Sequence, residues 1–265
     1  MQYNRQVQLK VGVPGESGRQ WSNPLHISMA VDATDGKQPN RLEAKLYNLN
    51  DGSAAFLKRD GLVAQMLAGY DTPELIGAGE VSTVDTSWQG TDRLTVIECG
   101  DGKRAYTGRI KKSWGKKVGA RKLIGKVAEA MGLDADVSRI GDVQFPRGMA
   151  FDGKARDAMD QLTRSVGADW QIERGRLVLL PQDEATTRRS VLLTSDTGLV
   201  GVPQRTKDGI KLKMLLNPKI RIRSIVRVES REITGFYMVR SYKHTADTHE
   251  DAWYTEAEAT RIDGQ

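Results

Sequence analysis

The stretch KIRIRSIVRVES runs from Lys219 to Ser230. Ile220, Ile222, Ser224, Val226, Val228 and Ser230 share one parity, while Lys219, Arg221, Arg223, Ile225, Arg227 and Glu229 share the other. A period of two separates two faces of a β-strand. The stretch therefore predicts a strand with one apolar face filling a core and four cations pointing away from it. A row of cations suits either a nucleic-acid stripe or the partner-facing side of a β-barrel, and the rest of the chain bears on the choice.

Upstream and downstream, the same period recurs. Val7, Leu9 and Val11 alternate, as do Leu25, Ile27, Met29 and Val31, and then Leu42, Ala44 and Leu46. LVAQMLAGY, GEVSTVDTSW and RLTVIECGDG read as further strands. Pro14-Gly15, Asp35-Gly36, Asp51-Gly52 and Gly100-Asp101-Gly102 punctuate them, and SAAFLKRDG has room for a short helical turn. Short strands at this spacing predict a small antiparallel barrel or sandwich. From Val191 strands return in SVLLTSD, IKLKMLLNP and GFYMVRSYKHTA.

The middle differs. Leu123, Val127, Ala130 and Met131 fall on one helical face, with Gly132 placed to cap it. Ala155, Met159, Leu162 and Val166 repeat the pattern, with Gly167 at the end, and a turn at Arg174-Gly175 joins a hairpin. QDEATTRRS is a polar connector. The predicted class is α+β, mainly β: a β domain at 1–115, a small α/β domain at 116–184 and a second β domain at 185–265.

Composition narrows the function. Forty Lys and Arg stand against 34 acidic residues, a net charge of +6, which permits an acidic partner without demanding nucleic acid. Cys99 is the only cysteine, so the chain has no internal disulfide and no thiolate metal cluster. No run approaches the roughly 20 apolar residues of a membrane span, and MQYNRQVQLKVGVPG carries no apolar signal core. The reading is a soluble protein, made and kept in a cytoplasm or assembled there into something larger.

Sites of chemistry are not evident. The histidines are His26, His244 and His249, and no GxSxG, HExxH or Walker A pattern occurs. Cys99 sits among apolar Val96 and Ile97 and reads as a core residue. His244, Asp247, His249, Glu250 and Asp251 gather in one polar turn, whose composition is that of a hairpin before that of a zinc site. Gly77 and Gly79 precede a strand where a phosphate cradle needs a helix N-terminus. Asp157 and Asp160 read as a solvated helix face. Lys111, Lys112, Lys116, Lys117, Arg121 and Lys122 surround Trp114, but the interleaved aromatics of a single-strand groove are missing. No catalytic residue, cofactor or metal is predicted.

Taken in order, NRLEAKLYNLN, LVAQMLAGY and GAGEVSTVDTSWQGTDRLTVIECGDG resemble the N-terminal tube-like domain of phage baseplate hub proteins. LVGVPQRTKDGIKLKMLLNPKIRIRS and GFYMVRSYKHTADTHEDAWYTEAEAT are similar to that family's later strands. The chain departs from the pattern at Arg221 and Arg223, near a position where hub chains often carry glycine, and at Ala246, where a glycine is expected before Asp247.

The resemblance implies two tube-like antiparallel β-barrel domains flanking the α/β domain. It implies a homotrimer adapting the sixfold tail tube to the threefold central spike around a DNA channel, without catalysis. Its partners would be the tail spike protein, a tail tube or distal tail protein and other baseplate proteins; DNA would pass without specific binding. The expected location is the virion tail baseplate, assembled in the host cytoplasm. A tail-associated cell-wall hydrolase and a nucleic-acid-binding module are the alternatives.

Two further expectations come from the residues. Met214, Leu215 and Leu216 form an unbroken apolar run before Asn217-Pro218, which predicts a buried corner or subunit contact. A cationic channel wall would grip phosphates, so the arginines are expected to face a protein neighbour. The interface candidates are Leu215, Leu216, Pro218, Arg221, Arg223, Ile225 and Arg227.

Overall fold

Every second side chain from Ile27 to Thr34 is buried, and the same holds from Arg41 to Tyr47 and from Gly209 to Leu215. That alternation lays one wet and one dry face on a sheet. The computed structural model describes residues 4–35, 40–100, 105, 107–181, 184–185 and 189–262. Gly36, Asp101 and Gly102 of the expected turns, and most of the 182–190 connector, lie outside the described residues.

The chain divides into two units, one of residues 1–100 and 185–265, the other of residues 101–184. The first opens with β1 (Arg5–Gly12), β2 (Arg19–Ser22), β3 (Ile27–Thr34) and β4 (Arg41–Tyr47). A short α1 (Asp51–Leu57) follows, its N-terminus capped by the Asn50 side chain. Then come β5 (Val63–Tyr70), β6 (Glu74–Gln89) and β7 (Asp92–Gly100).

The smaller unit holds β8 (Arg109–Trp114), β9 (Val118–Gly119), α2 (Ala120–Met131), β10 (Ala135–Asp136), β11 (Gln144–Phe145) and β12 (Met149–Lys154). It continues with α3 (Ala155–Ser165), β13 (Ala168–Glu173) and β14 (Arg176–Pro181). Both helices bury the apolar stripe expected of them, and α2 ends on Gly132 at φ +76°, the left-handed cap that glycine adopts without strain. β8 pairs with β12, so the stretch 101–115, read from sequence as the end of the first β domain, belongs with the α/β unit.

The larger unit resumes with β15 (Val191–Leu193), β16 (Leu199–Arg205), β17 (Gly209–Leu215), β18 (Ile225–Glu229), β19 (Thr234–Asp247) and β20 (Trp253–Arg261). Its strands form one thirteen-stranded sheet in the order β16-β17-β20-β19-β3-β4-β7-β6-β5-β1-β2, with β18 between β19 and β15. Among the described residues no pairing closes this sheet into a barrel. Buried side chains from both halves, Leu9 and Met66 with Ile222 and Trp253 among them, form one core cluster.

The sheet carries one pairing order twice. β3-β4-β7-β6-β5-β1 in the first half is matched by β16-β17-β20-β19-β18-β15 in the second. The match extends to single residues. β6 shifts register against β7 between Val81 and Thr83, and β19 shifts against β20 between Val239 and Ser241. Thr83 then stands opposite Glu98, as Ser241 does opposite Glu258. The Val81 N–H donates to Leu62 O at 2.8 Å, and the Val239 N–H donates to Ser224 O at 3.0 Å. Leu46 opposite buried Thr95 corresponds to Met214 opposite buried Thr255. One difference stands out: β1 runs antiparallel to β5, whereas β15 runs parallel to β18.

Candidate interaction surface

The run Lys219–Ser230 is not one strand. Only Ile225–Glu229 pairs, and the residues before it form turns. Asn217 and Ser224 drive the change. The Asn217 side chain accepts the Lys219 N–H at 3.0 Å, and Ser224 Oγ bonds back to the Arg221 carbonyl at 2.8 Å. These local bonds compete with a ladder. The apolar residues still enter the core, with Ile220, Ile222, Val226 and Val228 no more than 3% exposed.

The cations separate. Lys219 is exposed and Arg221 half-buried. Arg223, expected to point outward, is 5% exposed and takes φ +60°, in the left-handed region outside the β basin. Its guanidinium turns inward to the Asp35 carboxylate at 3.2 Å, where Arg240 joins at 2.8 Å. Two arginines clamp one carboxylate, so this group serves the chain's own packing.

Arg227 does point outward. It pairs with Glu229 at 2.5 Å and lies over the Phe236 ring at 5.8 Å. Leu192, Arg227 and Phe236 stand opposite one another across β15, β18 and β19. Leu192 and Phe236 are 43% and 44% exposed, which makes this row an apolar patch around one cation. Ile225, on the same side of β18, is half-buried. Leu216 and Pro218 are buried, and the Leu216 N–H donates to Trp253 O at 3.1 Å; Leu215 is half-buried beside Tyr254. The seven candidates are therefore not one surface: Arg227 sits at the centre of the patch with Ile225 beside it, while Leu216, Pro218 and Arg223 lie inside.

A second surface is the wet face of the sheet. Lys211–Glu258 at 2.7 Å, Lys213–Glu256 at 3.5 Å, Lys45–Glu43 at 3.2 Å and Arg41–Glu98 at 3.4 Å lace it with opposed charges. A groove of about 680 Å³ runs over it beside β16, where Val200 and Val202 stand against Lys213, Lys243 and Asp32. β16 bulges between Val200 and Gln204, with Gly201 at φ +69°.

The polar turn near His249 is a tie between chain segments. Thr248 Oγ1 donates to Leu25 O at 2.9 Å and accepts the Ile27 N–H at 2.9 Å. Asp247 Oδ1 accepts the N–H groups of His249 and Glu250 at 2.8 and 2.9 Å, with His26 Nε2 at 3.2 Å. Burial pushes the Asp247 carboxyl up, but those N–H bonds, Ser28 and His26 outweigh it and hold it below the usual carboxylate value. His26 stacks on Tyr47 at 3.9 Å. Among the described residues no three His, Cys, Asp or Glu side chains are arranged to hold a metal ion.

Burial, with Glu98 nearby, pushes the Cys99 thiol up to about 12, far from a nucleophile's range. Asp160 accepts the Trp170 indole N–H at 2.8 Å. In the smaller unit Lys111 pairs with Asp152 at 3.1 Å and Lys112 lies over Trp114 at 5.8 Å. No helix of the described residues is long and apolar enough to cross a membrane.

Comparison with known proteins now bears on these surfaces. The family described as "Baseplate hub gp41" matches residues 55–259. No curated protein matches the sequence. Among solved structures, the 43 kDa tail protein of prophage MuSo2 from Shewanella oneidensis is 11% identical with a TM-score of 0.69, over 97% of each chain. The tail protein from Neisseria meningitidis MC58 is 9% identical with a TM-score of 0.69, covering 98% of this chain and 97% of its own. The E. coli c3393 protein, described as a type VI secretion component similar in structure to T4 tail proteins gp27 and gp5, is 8% identical with a TM-score of 0.60. That match covers 96% of this chain and 77% of the other. At such identities these likenesses speak for a shared fold.

Proposed function

From the premise that the chain belongs to the baseplate hub gp41 family of phage tail proteins, we propose that it is the hub ring itself. Three copies surround the DNA channel and adapt the sixfold tail tube to the threefold central spike. The observation that carries this reading is the pairing order found twice in the larger unit. Each order is taken as one tube-like barrel domain, and the α/β unit as an insertion between them. Three chains with two such domains each present six similar surfaces, as a ring against a sixfold tube requires.

The wet face supports a place on the channel wall. Four of its cations, Arg41, Lys45, Lys211 and Lys213, are paired with carboxylates within the face, which leaves Lys243 beside the groove and, among the described residues, no continuous row of free cations to displace the counterions of passing phosphates. The patch around Arg227 is the contact for a neighbouring tail protein, since Arg beside exposed apolar groups is what interface centres favour. The spike protein, the tail tube or distal tail protein and other baseplate proteins are the proposed partners, with assembly in the host cytoplasm. The role needs no catalysis, and none is proposed.

Native mass measurement on the purified protein tests the reading, alone and mixed with neighbouring tail proteins. The expected result is a species of three times the 29.3 kDa chain, alone or on mixing. A strict monomer under both conditions would overturn it.

A further inference from the structure

The repeat says how one half of the larger unit joins the other. β3 is the edge strand of the first pairing order, and it does not end the sheet. It pairs antiparallel with the far part of β19, Ser28 opposite Asp247, Ala30 opposite Thr245 and Thr34 opposite Ser241. The near part of β19 is taken up on that side by β18. β19 is therefore a long strand whose outer edge serves two neighbours, one from its own half and one from the other.

Both partners of that junction have counterparts. The register matches β6 to β19, with Val81 in the place of Val239 and Thr83 in that of Ser241. Ser87 then takes the place of Thr245, Trp88 that of Ala246 and Gln89 that of Asp247. The register matches β16 to β3 likewise: Leu199 opposite Met214 and Gln204 opposite Lys211 correspond to Ile27 opposite Leu46 and Ala30 opposite Glu43. On β6, β5 takes the outer edge from Glu74 to Glu80. Beyond that, among the described residues, no strand covers it, and β16 has no strand partner other than β17.

We propose that β16 of one copy pairs antiparallel with the Thr83–Gln89 edge of β6 in a second copy, repeating between chains the β3–β19 junction within the chain. The register places Val200 opposite Gln89, Gln204 opposite Ser87 and Arg205 opposite Thr86. A head-to-tail contact of this kind closes into a ring when its rotation allows. The number of copies rests on the hub reading; the strand junction rests on the registers.

The exposed side chains agree. Trp88 is 71% exposed, Val202 54% and Val200 37%, and all three lie on the two edges to be joined. Within the chain, Ala246 meets Met29, and the two are 0% and 1% exposed. Trp88 holds the place of Ala246, and the Gly201–Pro203 bulge holds that of Met29. The junction between copies thus brings a bare indole onto the bulge that presents Val202. Pro203 lacks an N–H, which blunts β16 against chance strand partners and leaves a specific one.

Disulfide trapping tests this. Residues directly opposite in an antiparallel pair have Cα atoms about 4.5–5.5 Å apart, within disulfide reach. Single variants S87C and Q204C, each also carrying Cys99→Ala, should give a covalent dimer when mixed and oxidised, and none when oxidised separately. The S87C/Q204C double variant should give bands ending at three chains. Moving one cysteine to Arg205 should slow bonding about tenfold or more, because adjacent strand residues point to opposite faces. An unchanged thermal midpoint of each variant establishes that the fold is intact. A trimeric mass without the cross-link would sink the junction and leave the hub reading standing. Covalent bands running past three chains would keep the junction and sink the count of three. A monomer that never cross-links would sink both.

Discussion

Arg223 and Asp35 lie 188 residues apart and meet with Nε 3.2 Å from the carboxylate, their side chains only 6% and 14% exposed. Arg240 completes the site from β19 and donates onward to Thr260 Oγ1 at 2.9 Å. The pair ties the end of β3 to the turn before β18. Removing one partner of an enclosed ion pair leaves the other charge unmatched, at about 3–5 kcal/mol. Arg223→Met leaves Asp35 paired with Arg240 and should lower unfolding free energy by a smaller amount, about 1–3 kcal/mol, in a denaturant titration. Asp35→Ala should cost at least as much, since it leaves two guanidinium groups facing each other. A loss under about 1 kcal/mol in both would show the pair to be solvated.

Leu216 is 1% exposed at the corner after β17. Leu216→Ala should cost about 2–5 kcal/mol through the cavity it leaves. Leu216→Asp buries an unpaired carboxylate and should yield insoluble protein. Soluble Leu216→Asp protein with an unchanged melting midpoint would place this residue on the surface.

Arg227 should behave in the opposite way. Its side chain is 52% exposed, and changes at such positions usually move stability by no more than about 0.5 kcal/mol. Arg227→Glu should keep the melting midpoint and weaken binding to a neighbouring tail protein in a pull-down at physiological salt. Undiminished capture would remove this patch from the interface. A combined reversal at Arg221, Arg223 and Arg227 is expected to unfold the larger unit, because Arg223 is structural.

Asp247 gives a pH signature. Its carboxyl in the folded chain titrates below the unfolded value of 3.8, so the unfolded chain binds the proton more readily. The stabilisation is present above that value and is lost as pH falls through the folded one. Asp247→Asn should therefore be less stable than the parent at neutral pH, with the difference closing as pH falls below 3.8. Thermal midpoints between neutral pH and acid would reveal this; a difference independent of pH would mean the carboxylate's charge is not what matters.

No turnover is expected on peptidoglycan. The Cys99 thiol is pushed up to about 12, and His244, hydrogen-bonded through Nδ1 to Thr255 Oγ1 at 2.8 Å, is buried as Cys99 is, so neither group is open to a substrate. Release of sugar or peptide by repurified protein, abolished by substitution of His244 or Cys99, would establish an active site.

What could be read in the residues was local. Alternation in Arg41–Tyr47 and Gly209–Leu215, the apolar stripes of α2 and α3, and Gly132 after α2 each state a backbone conformation and a buried side within a few residues. The ordered motifs from Asn40 onward carried the family resemblance as well. The same alternation misled at Lys219–Ser224, where Asn217 and Ser224 bond their own backbone and the period continues without a strand. Arg223 read as one more outward cation, because its partner is in another part of the sequence. The repeated pairing order, the tie at Asp247 and the two uncovered strand edges were likewise settled only in three dimensions. A period of two or 3.6 is a property of neighbouring residues. Which strand lies beside which, and where Trp88 is left bare, depends on how the whole sheet shares its edges, and no single segment encodes that.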